Sequence, residues 1–291
     1  MCFVRMNFPD MERLRISAIS YLNTAPLMWD FEHANAGDAF DISYTLPSQC
    51  AAQLKAGTAD IGIIPVAAYA SIPDLAILPG VAIASRRAVR SILLVSKTPR
   101  EQIRSVALDA SSMTSVALTK VLFAKWWGGQ PEFVALQPDV DEMLRQHDAA
   151  LLIGDPALQI DRSRYVTYDL AEEWVRLTGK PFVFAFWAVR QQAAVTGNFS
   201  LDLAGTFQRS RDHGLQPESV NRIAQEWSRR LELDPENIRG YLTQNIYYDL
   251  DAACLEGLQL FLRYAQDCGA LPQSPALSFL DIPKAAPVAL W

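Results

Sequence analysis

Residues 14–27 read LRISAISYLNTAPL, an apolar run that passes directly into a polar turn and then a proline. The apolar half is typical of a buried strand. Asn23 or Thr24 can cap a short helix after it, and Pro26 suits the first turn of that helix. A second strand is predicted at residues 40–46, where apolar side chains alternate. The stretch therefore predicts the first strand–helix–strand unit of an α/β fold.

The same alternation continues for most of the chain. A helix opens at Pro47 and ends near Gly57, and the next apolar run is stopped by Pro65, as in a strand of a parallel sheet. Further strands are predicted at residues 81–84, 91–95, 105–108, 132–136, 149–153, 165–168 and 182–189. Helices are predicted among them at residues 116–127 and 138–147. After residue 191 the pattern is helical alone, at residues 201–213, 218–231, 235–245 and 250–268.

Two such α/β blocks predict two lobes with parallel or mixed sheets and a ligand cleft between them. We expect the chain to cross to the second lobe at residues 96–104 and to return at residues 184–190, and the final helices to pack on the first lobe. The resulting units are lobe 1 at residues 14–97 and 190–270, lobe 2 at residues 98–189, and a tail at residues 271–291. Four prolines predict that this tail is extended.

The overall composition excludes several function classes. The 291 residues are 50% hydrophobic and 20% charged, which is ordinary for a globular protein, and the formal net charge is -6. No run of Lys and Arg is long enough to serve as a nucleic-acid footprint, so nucleic acid is not an expected partner. No apolar stretch reaches the roughly 18 residues of a membrane span, so no membrane insertion is expected.

The cysteines and the first residues favour a cytoplasmic location. No CxxC pair occurs, and the thiols are expected to be reduced. Residues 1–13 carry two acidic side chains and no apolar core of a secretion signal. The cysteines are Cys2, Cys50, Cys254 and Cys268, and the isolated histidines are His33, His147 and His213. Their spacing matches no metal site, and no GxxxxGKS, GxxxxGKT or GxGxxG motif occurs, so neither a metal nor a cofactor is expected.

The most informative polar segment is residues 109–115, DASSMTS, between a predicted strand and a predicted helix. Its four hydroxyls belong to Ser111, Ser112, Thr114 and Ser115. The free N–H groups at a helix start, together with these hydroxyls, form a natural site for a carboxylate or a phosphate. The alternative is that one hydroxyl only caps the helix, but a single Ser or Thr would suffice for that role.

Three other segments end predicted strands and could face the cleft. Asn23 offers both a donor and an acceptor to a ligand, or acts as a helix cap alone. Ser85 precedes three arginines that could pair with a carboxylate but are more typical of a solvated surface. Asp155 could equally bind a ligand hydroxyl or cap the next helix. The aromatic run at residues 182–187 is mainly core, with one face available to a ring-binding pocket.

Five of these segments, in this order, resemble the chorismate dehydratases of the futalosine route to menaquinone. They are residues 20–27 (SYLNTAPL), 57–66 (GTADIGIIPV), 108–115 (LDASSMTS), 148–155 (DAALLIGD) and 178–183 (TGKPFV). The resemblance spans residues 14–270. One departure is Arg86-Arg87 after Ser85, where the family pattern leads us to expect a smaller turn that contains Ser or Gly.

The resemblance implies a two-lobed type II periplasmic-binding-protein fold used as a cytoplasmic, cofactor-free lyase. The implied reaction removes water from chorismate, a small dicarboxylate, to give 3-(1-carboxyvinyloxy)benzoate. The implied catalytic residues are Asn23 and Ser85, which would hold one carboxylate or the leaving hydroxyl. The implied substrate-binding residues are Ser20, Tyr21, Thr24, Ser111, Ser112, Thr114, Ser115 and Asp155. Because no His or Lys base stands in these motifs, we expect the enolpyruvyl carboxylate of the substrate to take the proton.

Three alternatives remain open at this stage. The sister 1,4-dihydroxy-6-naphthoate synthases share the fold but usually carry Ser-Pro-Asn-Asp where residues 20–23 read Ser-Tyr-Leu-Asn here. A non-catalytic binding protein for small anions would need export, and a cytoplasmic ligand sensor would need an output domain. The oligomeric state is not predicted.

Overall fold

The computed structural model describes residues 13–196 and 202–280. The strands in these ranges are β1 Leu14–Ile19, β2 Phe40–Thr45, β3 Ile61–Pro65, β4 Leu75–Ser85, β5 Ile92–Ser96, β6 Ser105–Asp109, β7 Glu132–Leu136, β8 Ala149–Ile153, β9 Val166–Asp169 and β10 Phe182–Arg190. They form two five-stranded sheets, with the orders β2-β1-β3-β10-β4 and β7-β6-β8-β5-β9.

Helices cover these sheets. Their bounds are α1 Trp29–His33, α2 Pro47–Ala56, α3 Val66–Tyr69, α4 Thr114–Leu122, α5 Val140–Gln146, α6 Gly154–Leu158, α7 Leu170–Thr178, α8 Gln191–Thr196, α9 Leu203–Gly214, α10 Pro217–Leu231, α11 Pro235–Gly240 and α12 Ala252–Asp267. Short 3-10 helices lie at Leu22–Met28, Asn35–Ala39 and Arg100–Gln102, and π-helical turns at Phe123–Trp127 and Tyr241–Asn245. No helix in residues 13–196 or 202–280 is long and apolar enough to cross a membrane.

Both sheets are mixed. In the first sheet β1 is parallel to β2 and β3, and β10 runs antiparallel to β3 and β4. In the second sheet β6 is parallel to β7 and β8, and β5 runs antiparallel to β8 and β9. The parallel strands are joined by helical crossovers, as the sequence alternation predicts. Their carboxyl ends therefore face the space between the lobes.

The chain changes sheets earlier than expected at both crossings. β4 ends at Ser85 in the first sheet and β5 begins at Ile92 in the second, so the first crossing is at residues 86–91 and not at 96–104. The return lies between β9 and β10, before residue 182, and not at 184–190. The reason is that β5 and β10 are buried on both sides by partner strands, and an apolar run does not specify which sheet provides those partners.

The helical third of the chain packs on both lobes. α9 contacts the Leu22–Met28 turn, α1 and β4, whereas α12 contacts β10 and also α4 of the second lobe. The expected packing on the first lobe alone is thus incomplete. Of the predicted tail, residues 272–280 are mostly irregular, and Phe279 forms a bridge with Ile77 of β4. Residues 281–291 lie outside the described residues.

Helix boundaries follow local chemistry in most places. Pro47 starts α2, and Gly57, with φ of 73°, ends it in the left-handed conformation that favours glycine. Asp169 accepts hydrogen bonds from the first N–H groups of α7. The turn after β1 is an exception, because neither Asn23 nor Thr24 caps it. Both lie inside the 3-10 helix that Tyr21 precedes, and no side chain caps its start.

Candidate functional site

A cleft of about 470 Å³ lies between the two sheets, where β1, β3 and β8 end and α4 begins. Its walls are mainly apolar and come from both lobes. The lining residues are Ile19, Tyr21, Asn23, Pro47, Pro65, Ile83, Ile92, Ser112, Met113, Thr114, Ser115, Ile153, Gly154, Phe184 and Ala185. None of them carries a positive charge. An anion in this cleft would therefore be stabilised by neutral donors and by the backbone.

The start of α4 supplies the backbone donors. The helix begins at Thr114, no side chain caps it, and the first N–H groups of a helix have no acceptor within the helix. Ser112 and Ser115 lie beside this helix start on the cleft wall. In the described part of the chain, no hydrogen bond occupies either hydroxyl. These two hydroxyls and the positive end of the helix dipole are groups that are able to bind a carboxylate.

The other two predicted hydroxyls have structural partners. The Thr114 hydroxyl donates to the carbonyl of Phe184, at 3.1 Å, and accepts from the N–H of Ala67, at 3.2 Å. It thereby ties α4 to β10 and α3 of the first lobe. The Ser111 hydroxyl is buried and donates to Asp109 Oδ1 at 2.6 Å. Thr114 lines the cleft with its hydroxyl occupied, and Ser111 lies behind the lining.

Asp109 holds the loop of residues 109–115 through its hydrogen bonds with Ser111. Its Oδ1 also accepts the Ser111 N–H at 2.8 Å, while the described residues offer no partner to its Oδ2. Burial raises the pKa of this carboxyl, and the hydrogen bonds from Ser111 oppose that rise. Tyr21 of the first lobe lies near the same loop, close enough for Ser111 and Asp109 to influence the pKa of its phenol. Burial raises the pKa of Tyr21, so its phenol is neutral and can act as a donor.

Asn23 enters the cleft from the first lobe, as predicted. Its Oδ1 accepts the Thr24 hydroxyl at 3.4 Å, and Tyr241 lies close enough for Asn23 to influence the pKa of its phenol. Tyr241 is buried and donates to the hydroxyl of Ser91 at 2.9 Å. The Asn23 amide thus lies on the cleft wall, where it can both donate to and accept from a ligand.

Asp155 is placed at the junction of the lobes and not on the cleft wall. It lies in α6 of the second lobe, and its Oδ1 accepts the N–H of Leu22, in the first lobe, at 3.1 Å. Burial raises the pKa of Asp155 to about 6, and the Leu22 hydrogen bond and the charge of Arg230 limit the rise. Its neighbour Gly154 has φ of 64°, and a Cβ there would lie 2.7 Å from the ring of Tyr21.

Ser85 is not brought to the cleft. It is fully buried at the end of β4, where its hydroxyl donates to the carbonyl of Arg87 at 2.8 Å and accepts the N–H of the same residue. Arg86 points to the surface, pairs with Asp251 and stacks on Tyr247. The turn after β4 is therefore closed by its own hydrogen bonds, and it brings no arginine into the lining.

Ser20 and Thr24 line a second cavity of about 730 Å³ that adjoins the cleft. Ile19 and Tyr21 line both spaces and therefore lie between them. Trp227 and Arg230 of α10 form the far wall of the second cavity.

Sequence reasoning missed several of these residues. Gly154 could have been found, because a glycine directly after a buried strand signals a close backbone approach. Tyr241 carried no such signal, since it lies in a helical region more than 200 residues from Asn23. Of the aromatic run, Phe184 lines the cleft, whereas Phe182, Phe186 and Trp187 are core.

The donor sets do not resemble a metal centre. In residues 13–196 and 202–280, no group of three His, Cys, Asp or Glu side chains is placed to hold a metal ion. Cys50, Cys254 and Cys268 are free thiols, and Cys2 lies outside the described residues.

Comparisons with known proteins identify a family for this sequence. A family model described as menaquinone biosynthesis matches residues 14–267. A chorismate dehydratase from Thermus thermophilus is 28% identical over 259 residues, which cover 83% of this chain and 91% of that protein. A chorismate dehydratase from Campylobacter jejuni is 28% identical over 192 residues, which cover 65% of this chain and 67% of that protein.

Solved structures confirm the predicted fold. The alkanesulfonate-binding protein SsuA from Xanthomonas axonopodis pv. citri, bound to MOPS, superposes with a TM-score of 0.64 at 19% identity and covers 90% of this chain and 95% of its own. The periplasmic aliphatic sulphonate binding protein SsuA from Escherichia coli gives a TM-score of 0.61 at 17% identity, with 94% and 96% covered. The chain therefore has the two-lobed periplasmic-binding-protein fold.

Proposed function

Because the chain belongs to the menaquinone biosynthesis family, we propose that it is a chorismate dehydratase, which converts chorismate into 3-(1-carboxyvinyloxy)benzoate and water. The observation that carries the proposal is the cleft itself. An uncapped helix start with two unoccupied hydroxyls faces the Asn23 amide across an otherwise apolar space. The two relatives named chorismate dehydratase support the choice of substrate.

The lining suits the two chemical halves of chorismate. One carboxylate would lie at the start of α4, where Ser112 and Ser115 donate together with the backbone N–H groups. The ring would pack on apolar side chains such as Ile83 and Phe184. Asn23 would bind the second carboxylate or the leaving hydroxyl, because its amide both donates and accepts.

The elimination requires a proton acceptor, and the cleft lining contains no His, Lys, Asp or Glu. We assign this role to the enolpyruvyl carboxylate of the substrate. It takes the ring proton, the electrons of that C–H bond complete the aromatic ring, and the C–O bond to the hydroxyl breaks. The departing oxygen takes up a proton and leaves as water. The protein then contributes through positioning and through stabilisation of negative charge.

The test is turnover by purified, chelator-treated protein, followed by ultraviolet absorbance and mass spectrometry. We expect chorismate to lose one water and to acquire a substituted-benzoate spectrum, and we expect N23A to lose at least about tenfold in kcat. Turnover that depends on an added metal would contradict the mechanism, and intact chorismate would contradict the function. The proposal places the reaction in the cytoplasm, which cell fractionation would test.

A further inference from the structure

The two lobes are joined next to the cleft by a short segment of the first lobe, Tyr21-Leu22-Asn23. The second lobe holds this segment at two points. Asp155 accepts the N–H of Leu22 at 3.1 Å, and the ring of Tyr21 lies directly against Gly154, where an added Cβ would come within 2.7 Å of it. Leu22 lies between the two cleft-lining residues of the segment, so its backbone position sets theirs.

The contact of Asp155 joins the two lobes in the arrangement that the structure shows, which we call closed, and it would be lost if the lobes separated. The carboxyl belongs to α6 and the N–H belongs to the 3-10 helix after β1, and these elements are in different lobes. Separating the lobes would expose the carboxyl to water, and closing them buries it. Gly154 allows the ring of Tyr21 to lie directly on the backbone beside it.

We propose that Asp155 is a positioning residue that joins the lobes across the cleft, and that closing the cleft over an anionic ligand takes up a proton at this carboxyl. The inference deepens the proposed function and rests on it for the identity of the ligand. It assigns to Asp155 the control of Asn23 and Tyr21 through Leu22, in place of the substrate contact that the sequence predicts.

The charges around Asp155 are few. Arg230 of α10 faces it with a positive charge, which opposes proton uptake, and Tyr21 and Tyr241 face it as neutral phenols. The anionic ligand would add negative charge nearby and favour the protonated carboxyl. Burial and the ligand therefore both raise the pKa of Asp155, whereas the charge of Arg230 lowers it.

The sign of the pH dependence follows from these groups. In the closed arrangement burial raises the pKa of Asp155 to about 6, whereas an exposed carboxyl titrates near its ordinary value of 3.8. The closed arrangement thus binds the proton more tightly, so closing is favoured at low pH. The difference of about two pH units corresponds to a loss of about 50-fold in the closing equilibrium between pH 4 and pH 7, since the exposed carboxyl is itself partly protonated at pH 4. Above pH 7 the carboxyl is ionised in both arrangements, so the closing equilibrium no longer depends on pH.

The test compares the wild-type protein with D155N, which keeps an oxygen acceptor for Leu22 and removes the titration. The probe is 3-(1-carboxyvinyloxy)benzoate, which the elimination cannot consume. Calorimetry at pH 5 in buffers of different ionisation enthalpy should show nearly one proton taken up on binding to the wild-type protein and none with D155N. From pH 5 to pH 8 the wild-type affinity should fall about tenfold, while that of D155N stays level and exceeds it about 100-fold at pH 8.

Arg230 provides a second test, which leaves Asp155 intact. We call the hydrogen bond between Asp155 and the Leu22 N–H the latch. R230Q should shift the wild-type pH profile upward, because the positive charge that lowers the pKa of Asp155 is removed. R229Q, an exposed neighbour on α10, is the matched control and should leave the profile in place.

Equal proton uptake in wild type and D155N, or weaker binding by D155N at every pH, would overturn the inference. Small-angle scattering without ligand separates it from the proposed function. A wild-type protein that is more open at pH 8 than at pH 5, with D155N equally closed at both, supports the latch even if the benzoate does not bind. Binding of the benzoate with the same pH dependence in both proteins would refute the latch and leave the function standing.

Discussion

Replacing Gly154 by alanine tests whether the contact between α6 and Tyr21 shapes the cleft. The φ of 64° costs a residue with a Cβ about 1–2 kcal/mol, because the left-handed conformation brings the Cβ near the backbone. The added Cβ would also lie 2.7 Å from the Tyr21 ring, so the ring must move, at a cost of about 1–3 kcal/mol. We expect G154A to lose about 2–5 kcal/mol of unfolding free energy.

The matched control is G179A. Gly179 has a similar φ of 70°, but a Cβ there meets no atom within 4 Å, and the residue is outside the cleft lining. G179A should lose only the backbone part, about 1–2 kcal/mol. Urea unfolding measures both values. Chorismate turnover should fall more than about tenfold in kcat/KM for G154A, because Tyr21 and Asn23 are displaced, and should change little for G179A. If the two variants match in stability and in turnover, the role given to the Tyr21 contact is wrong.

Three further predictions concern single side chains. D155N should raise the free energy of unfolding of the benzoate-bound, closed protein by up to about 3 kcal/mol at pH 8 and by only about 0.5 kcal/mol at pH 4, because the carboxyl has a pKa of about 6 when closed and near its ordinary value of 3.8 when unfolded. Urea unfolding at saturating benzoate would contradict this if the gain were the same at both pH values. S115A should raise the Kd for the benzoate about tenfold or more, because a hydrogen bond to a charged ligand is lost, and should leave the free energy of unfolding within about 0.5 kcal/mol. An unchanged Kd in calorimetry would show that Ser115 does not bind the anion. T114V should instead lower the free energy of unfolding by about 1–3 kcal/mol, because the Ala67 N–H and the Phe184 carbonyl lose their hydrogen-bond partner. An unchanged Tm in thermal unfolding would show that these two hydrogen bonds do not stabilise the protein.

The periodic parts of the fold could be predicted from sequence. The apolar runs of β1, β6 and β8 and the proline and glycine at the ends of α2 are local signals, and the structure places these elements where the patterns indicate. The assignment of β5 and β10 to sheets could not be predicted in the same way. Both are uniformly apolar, and which strands lie beside them depends on contacts between residues far apart in the chain.

In the candidate site, too, some features could be predicted from local sequence and others could not. The polar loop at residues 109–115 and Asn23 reach the cleft because each directly follows a strand, and the carboxyl ends of parallel strands meet at one edge. The hydroxyls of Thr114 and Ser85 have the right chemistry, but their hydrogen bonds go to backbone atoms. Residue type shows that a hydroxyl can donate, whereas its partner is decided by packing that a local motif does not contain.

The central claim is that the cleft removes water from chorismate and keeps the enolpyruvyl group. Proton NMR of chorismate mixed with the purified protein tests it most directly, because the ring and the vinyl protons are observed separately. The account predicts that the ring signals are replaced by those of a substituted benzoate while the two vinyl protons of the enolpyruvyl group remain. Loss of the vinyl signals with release of pyruvate, or an unchanged chorismate spectrum, would contradict it.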